Sequence, residues 1–188
     1  MKIPKLLPLL PLLLLGSCLL KPYVPVPDPA YGVENRFAIV QVGDLTIYVR
    51  AQPYSGEAQP VSSNFFTLYL RVRNNSSLPV TLDRNSFSVI AAQQQYDHIP
   101  LQLVLGSIGA SYRFSQLDDP FATPFSEAQD QYWIKAQEQY FELMHNYFSF
   151  GEVLPGGIKE GYLFYNDRIA RQSSFFFDAL GTQVFFSR

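Results

Sequence analysis

The chain has 188 residues, of which 47% are hydrophobic and only 16% are charged, and its aromatic side chains are 16 Phe, 12 Tyr and one Trp. This composition excludes a disordered chain. With 14 basic and 16 acidic side chains, the charge balance excludes a surface devoted to nucleic-acid phosphates. A single Cys excludes an intrachain disulfide framework and a cysteine-rich metal site.

The first 17 residues have the pattern of a secretory signal peptide. Lys2 and Lys5 give a positively charged start, and an apolar stretch covers Leu6–Leu15. As a helix this stretch would rise about 15 Å, roughly half the thickness of the hydrocarbon core of a bilayer. It is therefore too short to span a membrane, and we expect residues 1–17 to be cleaved.

The end of this segment resembles the lipobox of bacterial lipoproteins, in the residues Leu15, Gly16, Ser17 and Cys18. The resemblance implies that Cys18 receives a diacylglyceryl group and that its new amino terminus is acylated, commonly with palmitate. Two or three acyl chains hold a protein stably in a lipid bilayer. In this family an Asp after the Cys favours retention in the inner membrane. Leu19 stands there instead, so the resemblance favours the outer membrane.

Residues 18–30 are rich in proline and predict a stiff tether. Four prolines between residues 21 and 29 favour polyproline II, which at about 3.1 Å per residue would hold a domain about 30 Å from the bilayer. A passive spacer is the favoured interpretation, and a proline-rich ligand for a partner is the alternative. Cleavage removes two positive charges and no negative one, so the net charge changes from −2 to −4.

Residues 31–188 predict a single mainly β domain. Short segments of strand-like character lie at 37–39, 45–49, 65–73, 80–82, 86–91, 158–165, 173–177 and 182–187. Turn signals separate several of them, at Val42–Asp44, Asn74–Ser77 and Asp178–Gly181. Seven or eight short strands at this spacing predict an all-β sandwich.

Two segments resemble bacterial immunoglobulin-like lipoprotein domains of uncharacterised function. Arg71–Ile90 is similar to the middle of such domains, and Pro155–Phe164 is similar to their late strand, where a Pro-Gly turn precedes a Gly-aromatic run. The resemblance implies an immunoglobulin-like antiparallel sandwich with one inserted amphipathic helix. The family has no catalytic residue to transfer to this chain.

The insertion covers residues 107–150. Its first half is loop-like and carries four rings, at Tyr112, Phe114, Phe121 and Phe125. Its second half predicts a helix that begins with a capping box at Ser126–Gln129 and ends before Gly151. One apolar stripe of this helix consists of Ala128, Tyr132, Trp133, Ala136, Tyr140, Leu143, Met144 and Tyr147.

This stripe predicts that the helix packs on the sandwich. The alternative is a groove between helix and sheet that holds a small apolar or aromatic ligand near Tyr132, Trp133 and Tyr140. The four rings of the loop-like half and these three form a possible partner or ligand surface.

Few residues have the spacing of catalytic or metal-binding sites. His98 and His145 are far apart and have no available Cys, so no metal site is expected. Asp118 and Asp119 precede a proline, which is typical of a solvated turn rather than of a Ca²⁺ site or a catalytic pair. The chain has no nucleophile elbow and no phosphate-binding loop. We therefore expect no cofactor, and an envelope hydrolase using these four residues is the least favoured class.

The aromatic runs Phe65-Phe66 and Phe175–Phe177 point rings to both faces of a sheet. A second apolar face needs a cover, which the insertion helix, a partner protein or the bilayer would supply. The sequence thus predicts a non-catalytic, membrane-anchored lipoprotein whose sandwich binds or scaffolds another cell-envelope component. A ligand carrier is the alternative, and nucleic acid is not an expected partner.

Overall fold

The computed structural model describes residues 21–108 and 127–188, and the side chains of all of these except 59, 60, 62 and 127–133. The strands are β1 (Val24–Pro25), β2 (Gly32–Glu34), β3 (Phe37–Val42), β4 (Leu45–Ala51), β5 (Phe65–Asn74), β6 (Val80–Leu82), β7 (Phe87–Ala91), β8 (Gln94–Asp97), β9 (Gly151–Val153), β10 (Ile158–Asn166), β11 (Ser174–Ala179) and β12 (Thr182–Ser187). The helices are α1 (Gln59–Asn64), α2 (residues 101–108) and α3 (Glu127–Asn146), with short 3₁₀ helices at Arg84–Ser86 and Asp167–Arg171.

The strands form antiparallel sheets, which confirms the mainly β sandwich with an added helix. The first sheet has the order β1-β12-β11-β7-β8, the second has the order β10-β5-β4-β3-β2, and β6 pairs with β9 in a two-stranded ribbon. The described residues thus hold twelve strands rather than seven or eight. The additional ones are short segments of two to four residues, such as β1 and β8, which are too short for an alternating pattern to be recognised.

The two five-stranded sheets enclose one core. Strand β5 points Phe66, Leu68, Leu70 and Val72 into it, as its alternation predicts. The first sheet contributes rings and β-branched side chains, namely Phe87, Val89, Phe175, Phe177, Val184 and Phe186. Burial of such side chains contributes about 1.5–3 kcal/mol each before entropy is considered, so this interface holds the sandwich together.

Helices cover the opposite face of the second sheet. Strand β10 buries four consecutive side chains, because Leu163 and Tyr165 point into the sandwich core while Tyr162 and Phe164 point outward beneath the helices. The covering side chains are Tyr54, Ala58, Val61, Val104, Leu105, Ile108 and Leu143. The chain's own α1, α2 and α3 therefore cover much of this second apolar face.

The amino-terminal segment corrects the predicted tether. Tyr23 is 7% exposed within the core, β1 pairs with β12, and the backbone N–H of Val26 donates to the carbonyl oxygen of Phe185 at 2.9 Å. Tyr31 is also buried. Residues 22–31 therefore belong to the domain, because Tyr23 and Tyr31 lie in its core and Pro25 between them is buried.

The insertion also differs from its predicted bounds. Helix α2 covers residues 101–108 and so continues past residue 107, where the loop-like half of the insertion was predicted to begin. Helix α3 ends at Asn146, and Gly151 begins β9 instead of ending the helix. The physical reason lies in Phe148, whose side chain is fully buried and whose N–H donates to the carbonyl oxygen of Tyr162 at 3.0 Å.

Candidate functional site

The buried face of α3 is centred on Gln139 and Leu143. Leu143 is fully buried, and Gln139 is 4% exposed with its Nε2 donating to the carbonyl oxygen of Glu57 at 2.9 Å. The Glu142 carboxylate accepts from the N–H of Glu57 at 3.0 Å. These contacts hold α3 on the loop that follows β4, and buried polar groups are tolerated where they find such partners.

The predicted stripe is therefore wrong for two of its residues. Tyr140 and Met144 are 43% and 46% exposed, while Gln139, absent from the stripe, is buried. Because Gln139 is polar, the apolar periodicity did not include it. The buried face was therefore predicted on the side of Tyr140 and Met144 instead of at Gln139.

An exposed apolar strip lies on the other side of α3. It consists of Ile134, Phe141 and Met144, with Tyr140 at its edge, and Ile134 and Phe141 are more than half exposed. Ile134 and Phe141 are two turns apart on the side opposite Leu143. The strip was missed by sequence analysis, although the spacing of Ile134, Phe141 and Met144 on one face carries the signal.

Side chains fill the space between α3 and the second sheet, along the part of the helix whose side chains are described. Leu143 packs there with Tyr54, Tyr162 and Phe164 in one buried cluster, and the rings of Tyr54 and Tyr162 meet edge to face at 5.1 Å. Tyr140, predicted to line a ligand groove, points toward solvent.

A pocket of about 290 Å³ lies where the amino-terminal segment enters the domain. Its lining is mostly apolar, and the two charged side chains on it are Lys21 and Arg188. The lining residues are Lys21, Pro22, Tyr23, Ala51, Gln52, Pro53, Phe65, Phe66, Thr67, Ala170 and Arg188. Sequence analysis had no signal for this site, because its residues come from five separate segments.

The Arg188 side chain is held in place at this pocket. Its guanidinium lies 4.7 Å from the centre of the Tyr23 ring, and its Nη2 donates to the carbonyl oxygen of Ala170 at 2.8 Å. A guanidinium has five N–H donors, so donors remain for an anion at the pocket rim.

A second pocket, of about 210 Å³, lies on the outer face of the second sheet where Phe37, Ile39 and Tyr48 contribute to its lining. Strand β3 points Ala38 and Val40 into the core and leaves Phe37 and Ile39 outside. The Gly43-Asp44 turn sets this register, because it pairs Val42 with Leu45.

The two histidines are not brought together into a catalytic or metal-binding site. His145 is exposed near the end of α3, whereas the His98 ring lies 4.7 Å from the ring of Phe150. Burial lowers the pKa of His98, with Arg84 acting in the same direction and Asp97 opposing. Among the described residues, no group of three or more His, Cys, Asp or Glu side chains could hold a metal ion.

Some buried polar atoms in the described part of the chain have no hydrogen-bond partner. Two of them are Nε of Arg50 and the hydroxyl oxygen of Tyr165. Complete burial raises the pKa of Tyr165 well above its usual value. The Nδ1 of His98 likewise has no hydrogen-bond partner in the described part of the chain.

Several predicted site residues lie outside the described part of the chain. These are Leu15, Gly16, Ser17, Cys18, Tyr112, Phe114, Asp118, Asp119, Phe121 and Phe125, while Tyr132 and Trp133 lie on α3 with undescribed side chains. None of the helices in the described ranges is long and apolar enough to cross a membrane. Comparison with protein-family models, curated proteins and solved structures finds no match in any of the three.

Proposed function

We propose that this chain is a non-catalytic lipoprotein, anchored through Cys18 in the outer membrane, whose β-sandwich binds or scaffolds another envelope protein. The observation that supports binding is the exposed apolar strip of α3. Single exposed apolar side chains are ordinary, but a row of them along one helix is typical of a surface that a partner covers.

The packing of α3 supports a preformed docking surface. The helix is fixed from below by buried Leu143 and by the hydrogen bonds of Gln139 and Glu142 to the backbone of Glu57. Its upper face is therefore presented without a conformational change in the part of the helix that is described. A preordered surface loses less entropy on binding than one that must fold first.

Site-specific crosslinking tests the binding surface. A photoreactive side chain is placed at Phe141 and, as a matched control, at Leu78, which is 70% exposed in the turn after β5. In native membranes, position 141 should give a discrete product with an envelope protein, position 78 should not, and Ile134→Gln should abolish that product. The absence of any product specific to position 141 would overturn this part of the proposal.

Point substitutions are preferable to removal of the insertion. Deletion of residues 107–150 would also remove Leu143 and Phe148, which are fully buried, and would expose Tyr162 and Phe164, which share one buried cluster with Leu143. Loss of binding in such a deletion would report unfolding as readily as loss of a surface.

The anchor has its own test. Cys18→Ser should abolish labelling by acyl-chain precursors and release the protein from membranes, because the lipidated sulfur is then missing. Ser17→Ala is the matched control, since it keeps a small residue before the Cys and should leave labelling intact. Acyl labelling of the Cys18→Ser protein would overturn the lipoprotein assignment.

A further inference from the structure

We propose that the end of the domain around Lys21 and Arg188 faces the membrane and binds the headgroups of anionic phospholipids. This inference rests on the proposed lipid anchor at Cys18, and it adds a second, reversible contact between the folded domain and the bilayer. Four basic side chains and the adjacent apolar pocket make up the membrane-facing end, namely Lys21, Arg168, Arg171 and Arg188.

The length of chain before Lys21 places this end near the bilayer. Lys21 is three residues after Cys18, and an extended chain spans at most about 3.3–3.6 Å per residue, or roughly 11 Å here. Tyr23 is fixed in the core two residues later. The domain therefore has little freedom to move away from an anchored Cys18, unlike a domain on a 30 Å proline spacer.

The charges of this end are opposite to those of the chain as a whole. Lys21 and Arg188 line the pocket, and Arg168 and Arg171 are exposed on the 3₁₀ helix whose Ala170 lines the same pocket. On that helix Asp167 pairs with Arg171 at 2.8 Å. Removal of residues 1–17 leaves a net charge of −4. Basic side chains outnumber acidic ones at this end, although acidic side chains outnumber basic ones in the remaining chain as a whole.

The pocket supplies apolar surface beside the cations. Pro22, Ala51 and Pro53 are among its lining residues, and no carboxylate side chain is among the lining residues in the described part of the chain. A surface with a cationic rim and an apolar interior matches the junction of headgroup and acyl chain. Arg188 is already oriented by Tyr23 and Ala170, so binding a phosphate there requires little ordering.

The test places a reporter at this end of the lipidated full chain. Cys18 is the single cysteine and its sulfur is blocked by lipid, so Ser173→Cys introduces one free thiol for a fluorophore. Ser173 is exposed and does not line the pocket, and its carbonyl oxygen accepts from the N–H of Arg188 at 3.1 Å. Ser77→Cys is the control, because Ser77 is exposed beyond the far end of β5, about 30 Å from Phe65 at the pocket. The proteins are reconstituted into vesicles whose headgroups carry a spin-label quencher.

In vesicles containing phosphatidylglycerol, the fluorophore at position 173 should be quenched and that at position 77 should not. In vesicles of phosphatidylcholine alone, quenching at position 173 should fall. Lys21→Gln with Arg168→Gln should lower the ratio of docked to undocked protein about 25-fold, at about fivefold for each cation removed. Arg73→Gln with Lys135→Gln, the same charge change at exposed sites elsewhere, should have little effect.

Equal quenching at position 173 in both kinds of vesicle, or quenching unaffected by Lys21→Gln with Arg168→Gln, would overturn this inference. Failure of the anchor gives a different result: the protein would then leave the vesicles, and Cys18 itself would react with the fluorophore. The two failures are therefore distinguished in the same samples.

Discussion

The hydroxyl of Tyr23 donates a hydrogen bond to the carbonyl oxygen of Ile169 at 3.0 Å, although the two residues are 146 positions apart. The same hydroxyl lies 2.6 Å from the carbonyl oxygen of Gln172. The Tyr23 ring packs edge-on against Phe66 and Phe175, one from each sheet. The amino-terminal segment thus joins both sheets of the sandwich and the 3₁₀ helix that follows β10.

Substitution of Tyr23 tests this connection. Tyr23→Phe should lower the free energy of unfolding by about 1–2 kcal/mol, because the Gln172 carbonyl loses this donor, whereas the Ile169 carbonyl keeps the backbone N–H of Gln172 at 3.0 Å. Tyr23→Ala should lower it by about 3–5 kcal/mol, because the ring also leaves the core. Urea unfolding measures both. Tyr96→Phe is the control, since its hydroxyl bonds only the exposed side chain of Gln94. Changes near zero in the free energy of unfolding of both Tyr23 variants would contradict this connection and support a free tether instead.

Two glycines should respond oppositely to the same substitution. A Cβ at Gly161 would lie 2.7 Å from the backbone nitrogen of Phe148 and 2.8 Å from the carbonyl oxygen of Asn146. Gly161→Ala should therefore destabilise by at least about 1–3 kcal/mol. Gly106 is exposed on α2 with open space around it, so Gly106→Ala should stabilise by up to about 1 kcal/mol. Thermal unfolding of the two variants checks the signs, and stabilisation by Gly161→Ala would contradict the close approach.

A glycine in the turn between β7 and β8 should stabilise the protein. Ala92 and Gln93 have φ values of 49° and 64°, which is the geometry of a type I′ hairpin turn that favours Asn and Gly. Gln93→Gly should raise the free energy of unfolding by about 1 kcal/mol, because it relieves left-handed strain. Gln94→Gly, one residue later within β8, should lower it instead. Equal effects at the two positions, measured by urea unfolding, would argue against the turn.

His98 should make stability depend on pH below neutrality. Burial lowers its pKa below 6.5, so the unfolded chain binds a proton at a higher pH than the folded chain does. The free energy of unfolding should therefore fall as pH decreases from 6.5 toward the lower folded-state value. His98→Phe keeps a ring against Phe150 and should flatten this dependence.

The urea midpoints of the unsubstituted protein and of His98→Phe are measured at about pH 7.5 and about pH 5.5, on either side of the usual His pKa. His145→Phe is the control, because the His145 ring is exposed to solvent. A pH dependence that survives in His98→Phe would assign it to other groups.

Much of the sandwich follows from local pattern. The alternation around β5, the Gly43-Asp44 turn and the last strand, Thr182–Ser187, were all predictable because each is set by adjacent residues. The position of β1 was not, since proline repeats give the same local signal whether they are solvated or paired. Only the contact with β12, more than 150 residues away, decides between the two.

The binding surfaces were less predictable than the fold. Sequence periodicity predicted a helix in the insertion, and α3 confirms it. Which of its faces is buried depends on Gln139, whose partner Glu57 is distant in sequence. The pocket beside Lys21 has no local pattern at all, because it brings Pro22, Ala51 and Ala170 together from separate segments.

A pull on the amino-terminal chain would enter the domain at Tyr23 and then at the two ladder pairs that β1 makes with β12. Because β1 makes only these two pairs and lies at a sheet edge, it adds little resistance once the Tyr23 ring has left the core. Release as far as Tyr31 would free about ten residues and extend the chain by roughly 30 Å. Opening of this segment would therefore lengthen the link between the amino terminus and the sandwich.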